Sequence, residues 1–286
     1  MIQKPKTPSE RLLKATINGS LKGVKAAIEA GAAINTLDND WGTALFIACQ
    51  FNHPRIARYI LSCPGVNITK GCTSSWPQGV AGCVMPYARQ YNTTPLYAAL
   101  EAGNLAIARM LLTHPDKGKY LQANRNWVNT IRCTFNNYMF NQRGLALLLD
   151  AASKDSELLQ FSITTAIKEG FSWRHAEEEL TELFQSRSRK EQKLILNAFA
   201  EYIGSLVRRN ESQILKNTLA SVASIGDMHA LLPQLKEHLQ TAQEKSRREC
   251  MLLLMEIIAQ HDSDFMNEKR HSTMLSKENA RTSSSC

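Results

Sequence analysis

The chain has 286 residues, 43% of them hydrophobic, and a formal net charge of +8. That length suits one elongated domain or two compact ones, and that apolar content excludes global disorder. No run of about 18 apolar residues occurs, so no membrane-spanning helix is expected.

The opening segment, Met1-Ile2-Gln3-Lys4-Pro5-Lys6, has no apolar stretch of the kind a secretory leader needs, and none is expected. Residues 1–143 hold 16 Lys/Arg against 6 Asp/Glu, whereas residues 144–260 hold 14 against 16. A basic front half attracts acidic partners or anionic surfaces, and it also simply keeps a protein soluble. Its cations are spaced singly, without the interleaved aromatics of a nucleic-acid footprint, so nucleic acid is not the expected partner. The seven cysteines include no C-x-x-C pair, which favours reduced thiols. Cys63, Cys72 and Cys83 are 9 and 11 residues apart, without the paired short spacings of a structural zinc site, so no metal or cofactor is expected.

The front third repeats. Leu45 and Ala48 have counterparts 33 residues earlier in Leu12 and Ala15, and Thr43-Ala44-Leu45 returns 51 residues later as Thr94-Pro95-Leu96. The second step equals one period plus 18 inserted residues. Each unit opens with a short helix of small and apolar residues: Leu12–Ala15, Leu45–Cys49, Leu96–Leu100. A turn comes next at Asn18-Gly19, Asn52-His53 or Gly103-Asn104, where Gly and Asn tolerate positive φ. A second helix then spaces its apolar residues helically, as Val24/Ile28, Ile56/Ile60/Leu61 and Ile107/Met110/Leu111.

Thr94-Pro95-Leu96-Tyr97-Ala98-Ala99, Gly103 through Leu112, and Ala26 through Asn35 resemble the ankyrin-repeat pattern T-P-L-H-x-A-A, G-H/N-x-x-I-A-x-x-L-L and G-A-x-I-N over about residues 9–115. The resemblance implies an all-α solenoid of about three stacked helical hairpins that binds a protein partner. Two departures stand out. The motif's His is Phe46 in one unit and Tyr97 in another, and the turn glycine of the second unit is displaced to Gly42 by Trp41. One hairpin cannot bury its apolar face alone and about three are the minimum, so the open end after Leu112 needs covering by the chain beyond it.

Residues 68–91, rich in Gly, Ser and Pro, form a long loop where ankyrin repeats place a β-finger. Trp41, Trp76, Tyr87 and Arg89 are the expected partner-binding residues, because large amphipathic rings and Arg anchor interfaces. The competing reading has the aromatic rings folded back against the stack.

Residues 116–143 read as a polar and aromatic junction. A helical domain is expected over 144–261, with helices at 145–152, 155–168, 176–185, 190–208, 213–225, 228–241 and 244–260, arranged as an antiparallel bundle or a further solenoid. It contains no H-E-x-x-H, G-x-S-x-G, P-loop or G-x-G-x-x-G. His175 beside Glu177 and Glu178 reads as surface charge, and Cys133 and His114 make a pair only if the fold joins them. A binding role is therefore expected rather than catalysis. The alternatives are a catalytic site hidden in the helical domain and an ordinary cytosolic scaffold.

Residues 262–286 lose periodicity and are polar, which predicts disorder. With the short apolar patch Met274-Leu275, this segment resembles the C-terminal signals of effectors exported by Dot/Icm (type IVB) secretion systems. That likeness implies a bacterial protein that leaves the bacterial cytoplasm and binds a host protein in the host cytoplasm.

Overall fold

The computed structural model describes residues 7–38, 41–72, 93–122, 124–135, 141–170, 177–225, 228–244 and 247–262. These residues form fourteen α-helices and one small two-stranded sheet. The chain divides into two compact units, Met1–Thr165 and Ala166–Cys286.

The first unit is a stack of hairpins. Helix α1 (Pro8–Ile17) starts on a capping box in which Thr7 and Glu10 bond reciprocally, and it buries Leu12, Leu13 and Thr16. Helix α2 (Leu21–Glu29) is capped by Ser20 and buries Val24 and Ala27 against α1. Strands β1 (Leu37–Asp38) and β2 (Gly42–Thr43) pair antiparallel, Leu37 opposite Thr43, and make the first finger. Helix α3 (Ala44–Gln50) comes next, every residue buried except Gln50, and then α4 (Pro54–Leu61). Helices α5 (Pro95–Glu101) and α6 (Leu105–Thr113) repeat the pattern. Thr43 and Thr94 occupy equivalent N-caps, their hydroxyls accepting from the backbone N–H groups of Phe46 and Tyr97 at 3.2 Å each.

Inner helices pack on inner helices, α1 on α3 on α5, and outer on outer, α2 on α4 on α6. The stack continues. Helix α7 (Arg125–Arg132), with the 3₁₀ turn Cys133–Phe135, lies on α5, and α8 (Gln142–Ala152) lies on α6. A side chain at the start of each later outer helix reaches back to the layer before. His53 Nε2 faces the Ile17 carbonyl at 3.4 Å, Asn104 Nδ2 donates to the Cys49 carbonyl at 2.7 Å, and Asn141 Nδ2 donates to the Leu100 carbonyl at 3.1 Å. In all three the side chain belongs to the N-cap residue of an outer helix, and the carbonyl sits near the end of the preceding inner helix. Helices α7 and α8 thus add a fourth layer beyond α5 and α6. Helix α8 rests on α6, and both lie within the first unit. In helix α9 (Ser156–Gly170), Ser162 Oγ accepts from the indole N–H of the buried Trp127 at 2.7 Å.

The second unit is a two-layered helical array. Helices α10 (Glu177–Gln185), α12 (Ser212–Ile225) and α14 (Arg248–His261) pack in sequence, and α11 (Arg189–Arg209) packs on α13 (Leu232–Glu244). The pairs α11–α12 and α13–α14 are hairpins with short connections that pack on one another, the all-α helical domain expected here. Asn210, in the left-handed conformation at φ 60°, ends α11. The core is aliphatic with Phe184 edge-on to Phe199, ring centroids 6.0 Å apart. Gly204 lets the His238 ring sit directly on α11, where a Cβ would stand 2.6 Å from Cε1.

Candidate partner-binding surface

The finger of the second layer is built by local hydrogen bonding. Asp38 Oδ1 accepts from the Trp41 backbone N–H at 3.0 Å, and Gly42 takes φ +81°, a conformation that suits glycine. Gly42 also allows close approach: a Cβ there would lie 3.2 Å from the Cys72 Cβ and 3.1 Å from the Phe46 ring. Cys72 pairs with Thr93 in an isolated antiparallel bridge, with N···O distances of 3.1 and 3.2 Å. Gly71 is required at its place because any Cβ would overlap the Thr93 carbonyl oxygen. Cys72 and Thr93, which flank residues 73–92 in sequence, are therefore two paired posts, and they stand against the Trp41 finger. Thr43 Oγ1 ties the finger to the same connection by donating to the Lys70 carbonyl at 2.9 Å.

Of the expected site residues, Trp41 is described; Trp76, Tyr87 and Arg89 lie outside the described residues. Trp41 is half-buried, and its ring lies against Phe51 with centroids 5.9 Å apart, while Phe51 stacks on His53 at 6.4 Å and 17°. A three-ring strip thus runs from the finger to the far end of α3. Phe51 and His53 carry no motif of their own for this contact; only the fold, which returns the finger over α3, reveals it.

Asn35 and Asn67 connect the loops between layers. Asn35 Nδ2 donates to the Gly65 carbonyl at 2.8 Å, Asn35 Oδ1 accepts from Asn67 N–H at 2.8 Å, and Asn67 Oδ1 accepts from the backbone of Thr69 and Lys70. One layer on, Thr69, Thr94, Lys119, Gln122, Asn124, Asn126 and Thr130 line a polar pocket of about 130 Å³ over the buried Tyr120 and Trp127. The Tyr120 hydroxyl donates to the Ile68 carbonyl, and burial pushes its pKa well above the usual phenol range.

Residues 12–125 match the family profile described as ankyrin repeats, three copies. The front of this chain is an ankyrin-repeat array. The profile stops at the first residue of α7, although the layer packing does not. No curated protein matches the chain.

The thiols are structural in placement. Cys49, Cys63, Cys133 and Cys250 are reduced thiols, and burial raises the pKa of all four, which disfavours the nucleophilic thiolate. Cys133 Sγ donates to the Thr130 carbonyl at 3.0 Å and the His114 ring nitrogen accepts from the Asp116 N–H at 3.1 Å, so neither bond joins the two. Among the described residues there is no group of three or more His, Cys, Asp or Glu placed to hold a metal, and no helix long and apolar enough to cross a membrane. In the second unit His238 is held below its ordinary pKa, chiefly by burial, with its ring on the Ala200 carbonyl at 3.0 Å.

Proposed function

We propose that the ankyrin array of this chain binds a protein partner through the finger edge, with Trp41 as one anchor and Trp76, Tyr87 and Arg89 of the long insert beside it. The observation that supports the reading is the contact of the Trp41 finger with Cys72 and Thr93, the two residues that flank 73–92 in sequence. In sequence, Trp76 lies four residues after Cys72 and Arg89 four before Thr93. An ankyrin finger, an aromatic strip and an amide-lined pocket together offer what protein interfaces use: large rigid apolar area rimmed by hydrogen-bonding groups. The test is capture of a partner by the full chain and by a Trp41→Ala/Trp76→Ala variant. Loss of capture with an unchanged thermal transition supports the surface; undiminished capture by the double variant removes it.

A second reading concerns where the binding takes place. The composition of residues 262–286, polar and Ser-rich around Met274-Leu275, supports a translocated effector that meets its partner in a host cell. A reporter fusion lacking these residues would be left behind by a type IVB system that exports the full-length fusion. Equal export of both fusions counts against this reading and leaves the binding surface untouched.

A further inference from the structure

The outer helices present a second surface, on the opposite side of each hairpin from the inner helices. Helices α2, α4 and α6 expose Lys22, Lys25, Arg55, Arg58 and Arg109 and carry one acidic residue among them, Glu29. None of the five cations makes an ion pair among the described residues, and Lys25 instead sits 5.3 Å over the Tyr59 ring.

Their register is that of the repeat. Lys25 and Arg58 are one 33-residue period apart, and Arg58 and Arg109 are separated by the same 51 residues as Thr43 and Thr94. All three therefore occupy one position in three successive outer helices, and stacking sets them in a row with a spacing of about 10 Å, the usual distance between packed helices. Between the second and third cations runs a furrow. Arg58, Leu61 and Ser62 line it from α4, and Met110, Thr113 and His114 from the α6 side, around a space of about 240 Å³. Leu61 and Met110 are its apolar floor, both half-buried.

We propose that this row is a docking site for an acidic, extended segment of a protein, with an apolar side chain seated on Leu61 and Met110. The geometry selects the occupant. An extended chain in the polyproline II conformation advances about 3.1 Å per residue with about three residues per turn, so carboxylates at every third position recur on one side at about 9 Å and meet Lys25, Arg58 and Arg109 in turn. Phosphates along one nucleic-acid strand recur at shorter intervals, and the Tyr59 ring is covered by Lys25 rather than open for base stacking. A bilayer needs protruding apolar groups, whereas Leu61 and Met110 line the furrow. The site lies on the outer helices and is independent of the finger surface.

The test uses the full chain and a fluorescein-labelled synthetic peptide, Gly-Glu-Gly-Gly-Glu-Leu-Gly-Glu-Gly, monitored by fluorescence anisotropy at low salt. The expected result is saturable binding that weakens as salt rises. It falls at least about tenfold for the Arg58→Glu/Arg109→Glu variant, because charge reversal turns two attractions into repulsions. Both positions are exposed, so the fold should survive, and circular dichroism checks that it does. Binding should also fall when the peptide's Glu residues become Gln or its Leu becomes Ser, and it should persist in Trp41→Ala. Unchanged affinity in the charge-reversed variant overturns the proposal. So does tighter binding of duplex RNA or of phosphatidylserine vesicles lost with the same two substitutions, which would assign the row to phosphate chemistry.

Discussion

The side-chain amide of Asn141 donates to the carbonyl oxygen of Leu100 at 3.1 Å, the bond that Asn104 makes to Cys49 one layer earlier. Asn141 does more than bridge. Its Oδ1 accepts from the Gly144 N–H at 2.9 Å, capping α8, so one side chain starts an outer helix and fastens it to the previous inner one. Asn141→Ala should lower stability by about 1–3 kcal/mol, through the lost cap and the carbonyl left without its donor. Asn104 is more deeply buried and makes only the bridge; Asn104→Ala should fall in the same range. Urea unfolding of both variants, read by far-UV circular dichroism, checks this.

The contrast between these two asparagines shows what the sequence could reveal. Asn104 comes after Gly103 and precedes Leu-Ala-Ile-Ala, so the repeat pattern flags it. Asn141 comes after Phe140, with no T-P-L motif upstream, and its inner partner α7 runs into a 3₁₀ turn rather than a clean short helix. The fourth layer keeps the packing while losing the residues by which the pattern is read. Its Trp127 fills the core and bonds Ser162, a partner 35 residues away that no local signal names. At the finger, Trp41 is legible as an unusual aromatic in a turn. Its contact with Phe51 is not, since that depends on the direction in which the finger folds. Thr43 and Thr94 are legible in full, because capping is local chemistry.

Glu101, the last residue of α5, gives the stack a pH dependence. Its carboxyl is lifted from its ordinary 4.5 to about 7 by burial, against the opposing effect of a hydrogen bond from Tyr97. Its Oε1 finds no hydrogen-bond partner among the described residues, and the Cys133 thiol, pushed up chiefly by burial, is raised further by the Glu101 charge. The folded state holds this proton more tightly than the unfolded state does. Stability should therefore be greatest below pH 4.5 as far as this group is concerned, and fall as pH rises to about 7, by an amount on the order of 3 kcal/mol. Glu101→Gln should flatten the profile in that window and raise the unfolding midpoint at pH 8. Denaturation at pH 5 and pH 8 for both proteins separates the effect from ordinary carboxylates, which titrate lower.

His238 predicts the reverse in the second unit. Burial lowers its pKa below the ordinary 6.5, and the charge of Arg208 acts in the same direction; the Ala200 carbonyl and Glu237 oppose. The unfolded chain takes up the proton first, so the contribution of this histidine is present above about pH 6.5 and is lost as pH falls. Thermal unfolding between pH 5 and 7.5 should show the second unit losing stability on acidification. His238→Gln should reduce that slope.

Gly71 links stability to the proposed binding edge. It sits beside Cys72, and a Cβ at this position would overlap the Thr93 carbonyl oxygen and stand 3.0 Å from the Phe46 ring. The obstacle is backbone, so no side-chain rotation relieves it; the Cys72–Thr93 bridge must open. Gly71→Ala should then speed hydrogen exchange at the Cys72 and Thr93 amides, which the bridge protects. Gly65 serves as the comparison. Its φ is +75°, yet a Cβ there meets nothing within 4 Å, so Gly65→Ala should cost only backbone strain of about 1 kcal/mol and leave the bridge protected. If the insert acts from these posts, Gly71→Ala weakens partner capture while Gly65→Ala does not. Equal capture by the two variants, with the Thr93 amide exposed in only one, would show that the posts do not position the binding residues.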